Sequence, residues 1–194
     1  SSFLDSEEQP PQKSNDVVAK MLIQSFIKVL YLIVIKYYKG YHYIEVRLKT
    51  TTMKKIRFEN KWEFRHYAKQ KLLKSINAYK RDKIISRHIL DIVEELKPAT
   101  LLLYIPLSIE PNIRDVIRIC QKKCQVFVPF MEGISFKMVR YRLPLYTKQF
   151  NIKEPKNSFA VNPKIDLAIV PVIGVDGALK RIGFGKGMYD RFFD

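Results

Sequence analysis

Three short runs are apolar at nearly every position: Thr100–Ile105 (TLLLYI), Gln125–Phe130 (QVFVPF) and Asp166–Val172 (DLAIVPV). A strand with one wet face alternates apolar and polar residues; a strand without that alternation must be covered on both faces. The segments around these runs are amphipathic. Phe64, Tyr67, Ala68, Lys71 and Leu72 recur at three- and four-residue spacing, which predicts a first helix from Asn60. A second follows around Asp82–Leu96, with Ile85, Ile89, Ile92 and Val93 on one side and Pro98 past its end. Pro111–Lys122 reads as a helix with proline at its start, and Phe136–Tyr141 as a further strand. Strands alternating with helices predict an α/β fold, a largely parallel sheet flanked by helices in a Rossmann-like three-layer arrangement.

The 194 residues are 47% hydrophobic, enough for a real core, which excludes wholesale disorder. The two cysteines, Cys120 and Cys124, cannot form a disulfide framework or a four-ligand zinc site alone, and as free thiols they fit a cytoplasmic protein. Residues 1–52 hold seven basic and five acidic residues; residues 53–194 hold 28 and 14, so most of the net +16 lies in the second part. Such an excess points to an anionic partner. The first sixteen residues read as a disordered polar tail. Lys28 and Lys36 divide the following apolar stretch into two seven-residue runs, Met21–Ile27 and Val29–Ile35, short of the roughly 18–20 residues of a membrane span. This stretch is read as a soluble extension without firm membrane association, although Val29–Ile35 also suits a strand. Met53 is a candidate start, which divides the chain into an extension, 1–52, and an α/β domain, 53–194.

The richest segment is DLAIVPVIGVDGALKRIGFGKGMYDRFF, from Asp166 to Phe193. A buried strand runs into a turn at Asp176-Gly177, then Gly183-Phe184-Gly185-Lys186-Gly187, then Met188-Tyr189-Asp190-Arg191, which can open a helix. Alternate glycines let backbone N–H groups turn inward, and such groups near a helix start cradle phosphate. Arg181 and Lys186 add positive charge, and Asp190 is a hard oxygen ligand suited to Mg²⁺. GxxxxGK[ST] is absent and the dinucleotide fingerprint has other glycine spacing, so neither of those motifs applies.

With these residues in view, the chain resembles the 5-formyltetrahydrofolate cyclo-ligase (5,10-methenyltetrahydrofolate synthetase) family. That family's hallmark is D-L-x-x-V-P-G-x-x-F-D-x-x-G-x-R-L-G-x-G-x-G-Y-Y-D. The resemblance reaches back to about Asn60. It includes Tyr104-Ile105-Pro106 with Ile109-Glu110, and Asn151-Ile152-Lys153-Glu154-Pro155. It implies a NagB/RpiA/CoA-transferase-like fold and a monomeric cytoplasmic ligase. The implied reaction is cyclisation of 5-formyltetrahydrofolate, with or without a polyglutamate tail, to the 5,10-methenyl form, using ATP and Mg²⁺ and releasing ADP and phosphate. Phosphorylation of the formyl oxygen makes it a leaving group, and N10 attacks the activated carbon.

Residue by residue, the resemblance implies that Lys61 and Arg65 contact ATP phosphates; at i and i+4 they share one helix face. Arg181 and Lys186 become the catalytic cations. Gly183, Phe184, Gly185, Gly187, Met188 and Tyr189 complete the nucleotide site. Ile105, Glu110 and Tyr189 line the folate site, and Asp190 holds the metal. Phe184 stands where the family commonly has Arg, Met188 replaces the first Tyr of its YYD triplet, and Asn112 or Pro111 replaces a Thr. Family members continue beyond this segment with further strands and a second metal-binding Asp, whereas the sequence stops at Asp194. An inactive truncated relative is therefore one alternative, and a basic nucleic-acid-binding protein is another; no recognition motif supports the latter. Trp62 is read as capping the core.

Overall fold

The computed structural model describes residues 22–25, 32–38, 41–45, 54–74, 78–147, 153–156, 164–176 and 180–193. The polar tail, Met53, Gly177 and Asn151-Ile152 lie outside them. The elements in chain order are β1 (Leu22–Ser25), β2 (Leu32–Tyr38), β3 (Tyr41–Glu45), β4 (Lys54–Arg57), α1 (Lys61–Leu73), α2 (Ala78–Leu96), β5 (Thr100–Leu102) and α3 (Arg114–Cys120). There follow β6 (Gln125–Glu132), β7 (Ser135–Arg140), β8 (Leu145–Thr147), β9 (Lys153–Pro155), β10 (Leu167–Pro171), β11 (Gly174–Asp176), β12 (Arg181–Ile182) and α4 (Met188–Phe193).

The main sheet has the order β3-β2-β10-β5-β6-β7. Its three central strands are parallel, β10 with β5 and β5 with β6, and they are the three apolar runs of the sequence. β2, β3 and β7 join antiparallel, which makes the sheet mixed. Alternation along the central strands divides the core. Leu101, Leu103, Val126, Leu167 and Ile169 pack against Ile85, Ile89, Ile92 and Val93 of α2 and Val116, Ile117 and Cys120 of α3. Leu102, Phe127, Ala168 and Val170 face the other way, toward Phe136 and Met138 of β7 and the apolar side of α4. Helices on both faces give the expected three-layer α/β architecture.

A second sheet has the order β12-β11-β1-β4, and α1 packs on it: Phe64 and Ala68 meet Phe58, Ile173 and Ile182. Asn60 caps α1 by accepting the Glu63 N–H at 2.9 Å, and the Glu63 carboxylate accepts the Glu59 N–H at 3.0 Å. Strands on both sides of residue 52 share these sheets, since β2 pairs with β10 and β1 with β11 and β4. Among the described residues no helix is long and apolar enough to cross a membrane.

Two elements start or stop away from their expected bounds. Leu101 to Ile105 are all buried, yet β5 ends at Leu102; Leu103 makes one last bond to Phe127 O, at 2.9 Å, before the chain leaves the ladder. α3 begins at Arg114 instead of Pro111, because Leu107–Glu110 forms a turn closed by the Glu110 N–H on Leu107 O at 3.1 Å.

Gly174 tests the contact between α1 and the second sheet. A Cβ there would run into the ring edge of Phe64, a side chain that is only 1% exposed. Gly174→Ala should therefore lower stability by roughly 1–3 kcal/mol in urea unfolding, the usual cost of overpacking. Phe64→Leu should recover part of that loss in the Ala background. Strict additivity of the two changes would show that the sites do not touch.

Candidate functional site

Adjacent parallel strands send their following loops out at the same edge, and ligands of open α/β sheets sit outside the carboxyl ends of the strands. Here β5 leads into the loop carrying Ile105 and Glu110. β10 leads, through the β11–β12 hairpin, into Gly183–Gly187 and α4.

In the first loop, Ile105 packs with Val128 and Val139. The Glu110 side chain is buried and accepts the Leu107 N–H at 2.9 Å. Loss of water raises its pKa from the ordinary 4.5 to about 7, against the opposing pull of the Leu107 N–H. Tyr104, also buried, donates its hydroxyl to Pro111 O at 3.0 Å. Burial, then the charges of Glu110 and Tyr189, push its phenol well above the ordinary value. The Tyr189 phenol is raised in the same way, by burial first and then by Glu110, with Arg181 opposing. Tyr104, Glu110 and Tyr189 are thus linked through charge. Arg81 and Asp82, at the start of α2, act on Tyr104 too, and they pair at 3.1 Å with both side chains mostly buried. Sequence pattern alone does not mark Tyr104, Arg81 or Asp82 as site residues.

Three arginines brace the second loop and the helix after it. Arg65 Nε donates to Gly183 O at 3.0 Å, which joins α1 to the loop. Arg181 binds the Asp190 carboxylate, donates to Pro171 O at 3.4 Å, and lies 5.8 Å from the Tyr189 ring centroid. Arg191 Nε donates to Ile134 O at 2.9 Å, and its Nη2 donates to Ile134 O and Lys186 O. The glycines have reasons beyond a phosphate. Gly185 and Gly187 have φ of +110° and +61°, conformations that a side chain resists. A Cβ on Gly183 would meet the Arg181 guanidinium, and one on Gly187 that of Arg191. α4 has only six residues, so the loop amides, more than a helix dipole, are what the site offers an anion. Among the described residues, the amides of Phe184, Gly185 and Gly187 have no hydrogen-bond partner.

Of the site residues expected from the sequence, the structure thus joins Arg65, Arg181, Tyr189 and Asp190 around Gly183–Gly187, while Glu110 acts on the Tyr189 phenol through its charge. Met188 and Tyr189 also pack into the core beneath α4, and Phe184 against Phe64 and its neighbours. Lys186 is exposed on the loop. Lys61 is exposed at the first position of α1, one turn before Arg65, with no hydrogen-bond or ion-pair partner among the described residues. Trp62 lies outside the core clusters and stacks on His66 at 5.7 Å, because its position on α1 faces solvent. Cys120 and Cys124 are free, and burial raises both thiols, Cys120 to about 11.

Among the described residues no group of three or more His, Cys, Asp or Glu could hold a metal. Asp190 alone fits Mg²⁺, which keeps several waters and takes one or two carboxylates together with substrate phosphates. Its carboxylate is 61% exposed but engaged by Arg181.

The chain is 24% identical over 129 residues to the 5-formyltetrahydrofolate cyclo-ligase of Haemophilus influenzae, covering 61% of this chain and 68% of that one. With the protein of the same name from Mycoplasma genitalium it shares 35% identity over 65 residues, 32% of this chain and 39% of the relative. The Aquifex aeolicus 5,10-methenyltetrahydrofolate synthetase superposes with a TM-score of 0.57 at 28% identity, over 69% of this chain and 71% of the other. The synthetase of Mycoplasma pneumoniae shares the fold, with a TM-score of 0.52 at 20% identity over 69% and 77% of the two chains. The 5-formyltetrahydrofolate cyclo-ligase family profile matches residues 51–194, most of the sequence and all of the glycine loop, and the chain belongs to that family.

Proposed function

We propose that the chain catalyses ATP-dependent cyclisation of 5-formyltetrahydrofolate to 5,10-methenyltetrahydrofolate, with ADP and phosphate as the other products, as a cytoplasmic monomer. The observation that carries this reading is that two chemistries follow neighbouring parallel strands: after β10, a glycine loop flanked by arginines in which the Phe184, Gly185 and Gly187 amides lack a partner among the described residues, and after β5, a buried carboxylate. The first suits a polyphosphate and the second a heterocycle with N–H donors.

ATP supplies the phosphoryl group that converts the formyl oxygen into a leaving group, and Mg²⁺ on Asp190 supplies charge neutralisation. The protein's own part is alignment and electrostatics. The amides of Gly183–Gly187 and the cations Lys61, Arg65, Arg181 and Lys186 hold the polyphosphate, Arg181 and Lys186 beside the transferred group. Ile105 and Tyr189 hold the folate ring between apolar surfaces, and Glu110 accepts hydrogen bonds from its pterin donors. Arg181 would exchange Asp190 for phosphate oxygen, and the released carboxylate would be the residue that holds the metal. The surrounding positive charge attracts ATP and the glutamate tail of the folate.

The direct test is formation of the methenyl product, followed by its near-ultraviolet absorbance. It should appear only with ATP, Mg²⁺ and 5-formyltetrahydrofolate together; equal product without ATP would overturn the reading. Calorimetric titration with ATP separates the cations. Lys61→Ala and Arg65→Ala should each weaken binding about 10- to 150-fold, one charge-assisted contact of roughly 1.5–3 kcal/mol. Lys74→Ala, at the exposed end of the same helix, should change little. Similar small losses in all three would indicate diffuse electrostatics.

Glu110 predicts a pH dependence. Its folded pKa, about 7, lies above the ordinary 4.5, so between those values the folded state binds more protons than the unfolded state. Stability contributed by this group is thus lost as pH rises from about 4.5 to 7, in total on the order of 3 kcal/mol at about 1.36 kcal/mol per pH unit. Relative to Glu110→Gln, the unaltered chain should lose stability across that window in denaturant unfolding. A stability difference constant from pH 4.5 to 7.5 would show that the carboxylate keeps its ordinary value.

A further inference from the structure

Arg191 has no part in the proposed reaction, yet it grips the loop most closely. From α4 its guanidinium reaches back to two carbonyls, Lys186 O in the glycine loop and Ile134 O at the turn between β6 and β7. Its Nη1 would lie 2.7 Å from a Cβ on residue 187, so glycine there makes room for this side chain as well as allowing a φ of +61°. Because the peptide unit is planar and trans, the C=O of Lys186 and the N–H of Gly187 point in opposite directions. Holding the carbonyl therefore aims the Gly187 amide away from Arg191. Arg65 acts in the same way on an earlier peptide plane, since its bond to Gly183 O aims the Phe184 amide the opposite way. Both amides lack a protein partner among the described residues. Arg191 itself is poorly placed to bind an anion, because Nε and Nη2 are committed to carbonyls.

We propose that Arg191 is a positioning residue of the nucleotide site: it clamps the Lys186 carbonyl to the β6–β7 turn and thereby aims the Gly187 amide at the polyphosphate. This rests on the nucleotide reading above.

The test is titration of the full chain with ATP and Mg²⁺, and separately with 5-formyltetrahydrofolate, alongside thermal unfolding. Arg191→Ala should weaken ATP binding about 10- to 50-fold, within the range of one lost hydrogen bond to a charged group, with folate affinity within about twofold. Arg191→Lys should recover only part of the loss, because an ammonium cannot bridge two carbonyls as a guanidinium fork does. Gly187→Ala should mimic Arg191→Ala, and the double variant should bind no more weakly than the weaker single one. If Arg191→Ala fails to fold, Arg191→Lys and Gly187→Ala carry the same comparison. ATP binding at full strength in folded Arg191→Ala would overturn the inference alone. So would parallel losses of ATP and folate affinity that track the melting temperature, which indicate a merely structural role. Absence of ATP binding in the unaltered chain would overturn the nucleotide reading and this inference with it.

Discussion

The structure depends on where β10 sits in the main sheet. Every residue of this strand is buried, and it is paired on both sides, parallel to β5 and antiparallel to β2. Its register with β5 is fixed at the end remote from the candidate site. There the Asp166 carboxylate accepts from the N–H of Ala99 at 3.0 Å, the N–H of Thr100 at 2.9 Å and the Thr100 hydroxyl at 2.9 Å. A one-residue slip would exchange Leu167 and Ile169 with Ala168 and Val170 between the two core faces, which differ in size and in partners. With that register set, the carboxyl ends of β5 and β10 lie side by side, and the loops beyond them have to share one edge.

The glycine loop obeys a different constraint. Backbone without side chains is mobile unless something holds its carbonyls, and anion binding needs amides that are fixed before the ligand arrives. Two arginines from different elements do the holding here, Arg65 of α1 on Gly183 O and Arg191 of α4 on Lys186 O. The spaces left open by Gly183 and Gly187 are filled by the guanidinium groups of Arg181 and Arg191. Glycine and arginine are thus one device, in which removing a side chain from the loop admits a planar, multidentate side chain from beside it.

Much of this is legible in the sequence because local patterns reflect burial. The three apolar runs are the parallel strands, and the Ile85–Val93 stripe is the buried face of α2. Contacts between distant segments leave no such trace. Nothing in GFGKGMYDR says that Arg181 pairs with Asp190 or that Arg191 bonds to a carbonyl 57 residues earlier in the chain. Arg81 and Asp82 carry no mark in the sequence, because neither periodicity nor charge reports that the start of α2 acts on Tyr104. The start of α3 departs from expectation for a related reason. Proline at 111 is a good first helical residue, but its carbonyl is taken by the Tyr104 hydroxyl and the turn before it is closed by Glu110.

The Arg181–Asp190 pair bears most directly on how the proposed site fills. Arg181 is 12% exposed and Asp190 61%, so the two ends of the pair are not equivalent. Taking Asp190 away leaves a largely buried guanidinium without its counter-charge, whereas taking Arg181 away leaves a carboxylate that water can still reach. A metal drawn to Asp190 alone would meet that first cost in full. A polyphosphate arriving with its metal would offer oxygen to Arg181 in place of the carboxylate, and Asp190 would then hold the cation. In the proposed reaction the pair therefore favours entry of nucleotide and metal as one complex, and it does so through the unequal burial of its two partners.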